Sequence, residues 1–216
     1  MSLAGAALKH ALSALAPHQV LLRGSRRTPQ VALTFDDGPH PEHTPRILDA
    51  LQGVGASATF FVQGSNAAQH KALVRDIHTR GHCVANHAAT HRSPSELGTR
   101  AYVREVFDTQ ALLDDIVGSA LPRHFRPPYG ITSIGTFARL AQAGYRFVFW
   151  SRDSKDSWLK EPAALLDDFD RNHPTAGEIV LFHDDYAHTA AALPELLRQL
   201  SKLKLTAVSV EELPCG

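Results

Sequence analysis

Two carboxylates stand side by side where an apolar run ends. Val31-Ala32-Leu33 leads into Thr34-Phe35-Asp36-Asp37-Gly38-Pro39. Charged groups rarely cluster at the end of a buried strand unless something binds them. Fifty residues after Asp37 comes His87-Ala88-Ala89-Thr90-His91. Two imidazoles plus one carboxylate make a three-ligand metal site with a position left open, the pattern of a catalytic rather than a structural zinc. On a helical turn, residues four apart share a face, so His87 and His91 could reach one ion. Neighbours on a strand point to opposite sides, so Asp36 and Asp37 are expected to divide the work, one on the metal and one as base. Taken alone, Asp-Asp-Gly also reads as an ordinary solvated turn.

Three further stretches could complete such a site. Arg126-Pro127-Pro128-Tyr129-Gly130 is a stiff loop whose arginine can grip a carboxylate and whose backbone can present an N–H to an oxyanion. Leu181-Phe182-His183-Asp184 ends the most apolar run with a histidine placed to act as a general acid. Asp153-Ser154-Lys155-Asp156 offers a carboxylate to orient and charge that histidine.

The elements that must position these residues alternate along the chain. Strands are expected at 31–35, 58–62, 83–86, 124–126, 146–150, 178–182 and 206–210. Helices are expected at 44–52, 66–80, 99–117, 133–143, 162–171 and 190–203. Such alternation argues for a parallel α/β sheet, and pattern alone does not separate a barrel from an open sheet. Asp36, Asp37, His87, Arg126, Asp153, Asp156 and His183 all fall at the C-terminal ends of predicted strands, the edge where parallel α/β folds build their sites.

In this order the stretches resemble the motifs of the polysaccharide deacetylases of the NodB-homology type, carbohydrate esterase family 4. The matching residues are 34–39, 87–91, 126–130, 153–158 and 181–183, and the resemblance spans roughly residues 30 to 212. It implies a distorted (β/α)7-type barrel and one divalent metal, zinc first, with Co2+, Ni2+ or Mn2+ as alternatives. By the same resemblance Asp37, His87 and His91 hold the metal and Asp36 is the base. Arg126 pairs with Asp36, the Tyr129 backbone helps form an oxyanion hole, and His183, tuned by Asp156, is the acid. Leu181 and Trp158 wall the pocket for the acetyl methyl. Two positions depart from the family pattern: Ala88 replaces a Ser or Thr, and Ser157 separates Asp156 from Trp158. The implied function is removal of N-acetyl groups from hexosamine units of a glycan, releasing acetate. Another C–N hydrolase on the same scaffold, or an inactive carbohydrate-binding protein, is the alternative.

The bulk properties agree with a globular enzyme. The chain has 216 residues, with 22 Lys plus Arg against 22 Asp plus Glu, which gives no electrostatic reason to expect nucleic acid as a partner. Cys83 and Cys215 are the two cysteines, without metal or disulfide spacing, so two free thiols are expected. No apolar run is long enough to span a membrane. Leu8, Leu12 and Leu15 share a helical face, so residues 1–29 are read as an amphipathic helix and lead-in to a catalytic domain at 30–216. Lys9 and His10 interrupt the apolar stretch that would otherwise suggest an export signal. A cytoplasmic location is therefore the default expectation, with the cell envelope as the alternative. Neither oligomeric state nor the particular glycan is legible here.

Overall fold

The computed structural model describes residues 3–215, with side chains from Lys9 onward. Helix α1 (Leu3–Leu15) leads into β1 (Val20–Leu21) and β2 (Gln30–Asp36). Then follow α2 (His43–Gln52), β3 (Thr59–Val62), α3 (Gly64–Gln69), α4 (Lys71–Thr79), β4 (Cys83–Asn86), α5 (Pro94–Leu97), α6 (Thr99–Val117) and β5 (His124–Phe125). The second half adds α7 (Ile134–Gln142), β6 (Arg146–Val148), β7 (Arg152–Asp153), α8 (Pro162–Arg171), β8 (Ile179–His183), α9 (Ala187–Lys202) and β9 (Thr206–Val208).

All pairings are parallel, in the order β1-β6-β5-β4-β3-β2-β8-β7, with β9 beside the first half of β2. Strands β6 and β7 lie towards opposite ends of this order yet are consecutive in the chain. The short run Phe149–Ser151 therefore bridges the two sides of the curled sheet, with Phe149 N donating to Leu21 O and Ser151 N to Ile179 O. The result is the distorted α/β barrel expected from the sequence.

Strand alternation sorts the side chains. On β2, Val31, Leu33 and Phe35 join Val180 and Phe182 of β8 in the core beneath the helices. Ala32 and Ile179 point the other way, into the barrel interior with Phe61, Ala85 and Val148. Thr34 and Asp36, in step with Ala32, and Leu181 and His183, in step with Ile179, carry that inner face up to the strand ends. Asp36 and His183 are register partners on neighbouring strands.

Several boundaries differ from the expected ones. The predicted helix 66–80 is two helices, broken at His70, whose backbone leaves the helical region (φ −124°, ψ 45°). The first piece is held by the loop after β4, Gly64 N and Ser65 N donating to Ala88 O and Ala89 O, while the second packs on α6 and β4. The predicted strand 146–150 is interrupted, because the chain changes partners from β5 to β8 at that point. In α1, Leu12 packs with Val20, Phe125 and Phe147, but Leu15 is 84% exposed and not on the packed face. The Leu8 side chain lies outside the described residues. Cys83 is buried, Cys215 is exposed, and both are free. Among the described residues, no helix is long and apolar enough to cross a membrane.

Candidate active site

The strand ends open into a cleft of about 780 Å³ lined by Asp36, Asp37, His87, His91, Tyr129, Leu181, Trp158 and His183, with Lys9 and Trp150 among the other lining residues. Asp36 reaches it as the last inward residue of β2. Asp37 does not follow strand alternation. Its φ is +76°, a left-handed conformation that swings its carboxylate back over the same cleft. Both acids thus face one space, where the strand rule puts neighbours on opposite sides. The Asp37 conformation is held from outside the strand. Gln63 Nε2 donates to Asp37 Oδ1 at 2.8 Å and Asn66 Nδ2 donates to Asp37 O at 2.7 Å. Gly38 passes so close to the Asp184 carboxylate that any Cβ there would overlap its oxygens.

Asp37, His87 and His91 bring one donor atom each within 4.8 Å of one another. Asp37 Oδ1 is 3.4 Å from His87 Nε2 and 3.3 Å from His91 Nε2. His87 Nδ1 donates to Arg126 O at 2.7 Å, which leaves Nε2 turned towards Asp37. Burial alone would raise the Asp37 carboxyl. The hydrogen bond from His87 and the charges of His87, His91 and His183 outweigh it and hold Asp37 well below the usual carboxylate range. Three converging donors around one point, one of them firmly anionic, suit a divalent ion, and among the described residues no other group of His, Cys, Asp and Glu does so. The two histidines do not share a helical turn, as the spacing suggested. Residues 87–91 form a loop in which Ala88 adopts φ +62°, fixed by Ala88 N donating to Asn86 Oδ1. That bend, rather than helical periodicity, brings the rings to 5.4 Å.

Arg126 is wholly buried. Its Nη1 donates to Asp36 Oδ1 at 2.7 Å and to Thr34 Oγ1 at 2.8 Å. Its Nε donates to Val148 O and Nη2 to Phe149 O, and the guanidinium stacks over Phe61 at 4.1 Å. One Asp36 oxygen is thereby occupied, while Oδ2 stands 3.9 Å from His87 Nε2. On the neighbouring strand His183 Nδ1 meets Asp156 Oδ1 at 2.8 Å, and His183 N donates to Asp156 Oδ2 at 2.7 Å. Thr189 Oγ1 donates to the same carboxylate, which has no exposure to solvent. Burial disfavours the His183 imidazolium. The hydrogen bond and charge of Asp156, helped by Asp36 and Asp37, outweigh this and push it up to about 9.

The remaining predicted residues take different stations. Leu181 is buried in the cleft wall. Tyr129 has φ +59° and lays its ring edge-on to His91 at 4.3 Å. Trp158 borders the cleft but is 79% exposed, so it forms rim rather than buried wall. The additional residue Ser157 lies in the turn that carries it outward, where Trp158 N donates to Lys155 O.

Reading the sequence missed several residues of the site, among them Gln63 and Asn66, which grip Asp37, Lys9, Trp150 and Tyr186 in the cleft, and Asp184. Asp184 is buried, accepts from Thr44 Oγ1 at 2.6 Å and leaves Oδ1 unpartnered. Its carboxyl is pushed up to about 7 by burial, with the charges of Asp185 and Asp37 adding. Its place directly after His183 at a strand end, like Asp37 after Asp36, was the available signal.

Residues 23–148 match the family model for polysaccharide deacetylase. A chitooligosaccharide deacetylase of Sinorhizobium fredii is 38% identical over 162 residues, 75% of each chain. A peptidoglycan-N-acetylglucosamine deacetylase of Bacillus cereus is 34% identical over 188 residues, covering 85% of this chain and 87% of that one. Among solved structures, a peptidoglycan N-acetylglucosamine deacetylase in complex with 4-naphthalen-1-yl-N-oxidanyl-benzamide superposes with a TM-score of 0.86 at 27% identity, over 94% of this chain and 96% of that one. Sequence, fold and the order of the cleft residues agree, and the chain belongs to the polysaccharide deacetylase family.

Proposed function

We propose that this protein removes the N-acetyl group from a hexosamine unit of an oligo- or polysaccharide, releasing acetate, with a divalent ion, zinc in the first instance, held by Asp37, His87 and His91. The observation that carries this reading is that Asp36 and His183, register partners on β2 and β8, line one cleft together with that triad. A divalent ion bound by these three residues would supply Lewis acidity toward the acyl oxygen and the attacking water. Asp36, its other oxygen fixed by Arg126, takes the proton of the attacking water. To the backbone N–H of Tyr129, in its left-handed turn beside the cleft, we assign the developing oxyanion. His183, charged at neutral pH, delivers a proton to the departing nitrogen, which is too basic to leave as an anion. Leu181 offers an apolar wall to the acetyl methyl, and Trp158 at the rim contacts the sugar beyond it.

The test is acetate release from chitotetraose. The zinc-loaded protein should release acetate, chelation should abolish it, and added zinc should restore it. Absence of release from any N-acetylated glycan by a protein holding one zinc per chain would refute the reading. A pH profile examines the acid separately. Asp156 raises the His183 pKa, so the protonated acid persists towards pH 9 and activity is lost as pH rises through that value. Asp156→Asn removes the charge and should move the alkaline limb of kcat to lower pH by roughly one to two units. An unmoved limb would show that His183 is not the titrating acid.

A further inference from the structure

Lys9 comes from α1, outside the stretch that matches the family model, yet its side chain lines the catalytic cleft. Among the described residues it is the only lysine or arginine that does so. Its ammonium lies 5.4 Å from the centroid of the Trp150 ring, which also has the Arg126 guanidinium at 5.7 Å. Lys9 is half-buried, and no carboxylate of the described residues pairs with it. Holding a lysine chain in place costs rotamer freedom. A surface lysine that merely aids solubility would extend into water instead. Among the acids of the lining, Asp36 is matched by Arg126 and Asp37 sits among histidines, so neither neutralises Lys9. Asp153 accepts from the Lys155 backbone.

We infer that Lys9 is a specificity-determining residue that binds a carboxylate carried by the glycan beside the acetamido sugar, so that the cleft prefers an acidic glycan over a neutral one. This rests on the deacetylase reading for the identity of the ligand as an N-acetylated glycan. The placement suits the role, since Lys9 shares the cleft with the triad but belongs to a different element, α1, and approaches over Trp150. A charge-assisted hydrogen bond at such a half-buried position contributes about tenfold or more in affinity.

The experiment is titration calorimetry with the full, metal-free chain against two tetrasaccharides of equal length. One is chitotetraose. The other alternates N-acetylglucosamine with N-acetylmuramic acid bearing free lactyl carboxylates. The wild type should bind the acidic ligand about tenfold more tightly than the neutral one. Lys9→Met should bring the ratio of the two dissociation constants close to one, and Lys9→Arg should keep the preference. A wild type with no preference, or a Lys9→Met variant that keeps it, overturns the inference. Circular dichroism of both variants checks that α1 stays folded, and the arginine variant carries the comparison if the methionine variant loosens it. Because the readout is binding without metal, it separates from the deacetylase reading. A preserved preference with no acetate release by the zinc-loaded protein would sink the catalytic proposal and leave the anion site standing.

Discussion

Asn in place of Asp36 should lower turnover by on the order of 10²–10⁴, the usual worth of a positioned general base. The replacement keeps an oxygen to accept from Arg126 Nη1, which lies 2.7 Å from Asp36 Oδ1, and keeps the volume of the side chain. What it removes is basicity. The three donors of Asp37, His87 and His91 are untouched, so the variant should still hold one zinc per chain. The measurement is therefore paired: acetate release at saturating glycan, and zinc content after dialysis. A variant that keeps both zinc and more than about a tenth of wild-type turnover would show that the proton goes elsewhere. A variant that loses zinc as well would move Asp36 into the ligand set and leave the base unassigned.

The largest loss of stability is expected from Arg126→Met. The guanidinium is wholly buried, and Asp36, Thr34, Val148 and Phe149 all rely on it for a hydrogen bond. Its removal leaves the Asp36 carboxylate at the head of the barrel interior without a counter-charge, and breaking a buried pair from one side costs about 3–5 kcal/mol. For a chain of this size that is a fall in melting temperature of roughly 6–20 °C. The double variant Asp36→Leu with Arg126→Met removes both charges and should recover much of the stability, while remaining inactive. Thermal melting of the three proteins decides the matter. If the double variant is no more stable than Arg126→Met alone, the cost lies in the lost bonds to the carbonyls and Thr34 rather than in the stranded carboxylate.

The main strands and helices were readable because their signals are local. The apolar run before Asp36, the glycine stops after helices and the run Ile179–Phe182 each depend on a few neighbouring residues. Part of the candidate site was readable too, because Asp36, Asp37, His87 and His183 lie at or just after strand ends and topology brings strand ends together. Geometry within the site was less legible. The turn of Asp37 towards the histidines depends on a positive φ that Gln63 and Asn66 stabilise from after β3, and no spacing rule connects residues 26 and 29 positions apart. Likewise, His87 and His91 converge through the Ala88 bend, a conformation unusual for alanine, and not through the helical turn that the spacing suggested. The two-residue strands β1 and β7 lie below the length at which periodicity carries information. Lys9 was noted only as an interruption of an apolar helix, since its relation to the cleft depends on how α1 packs against β1 and the Phe125–Phe147 cluster.

Arg126, which fixes Asp36, is itself held in part by main-chain atoms. Its Nε and Nη2 end on the carbonyls of Val148 and Phe149, and its own carbonyl orients His87. Carbonyl groups are supplied by every residue type, so mutation along Phe149–Ser151 can alter the cleft surface without withdrawing these acceptors. The cleft is also lined by Lys9, Trp150, Tyr186 and Trp158, whose contribution changes with residue type. Substitution at these positions can therefore change what the cleft admits while the carbonyls that seat Arg126 beneath Asp36 stay in place.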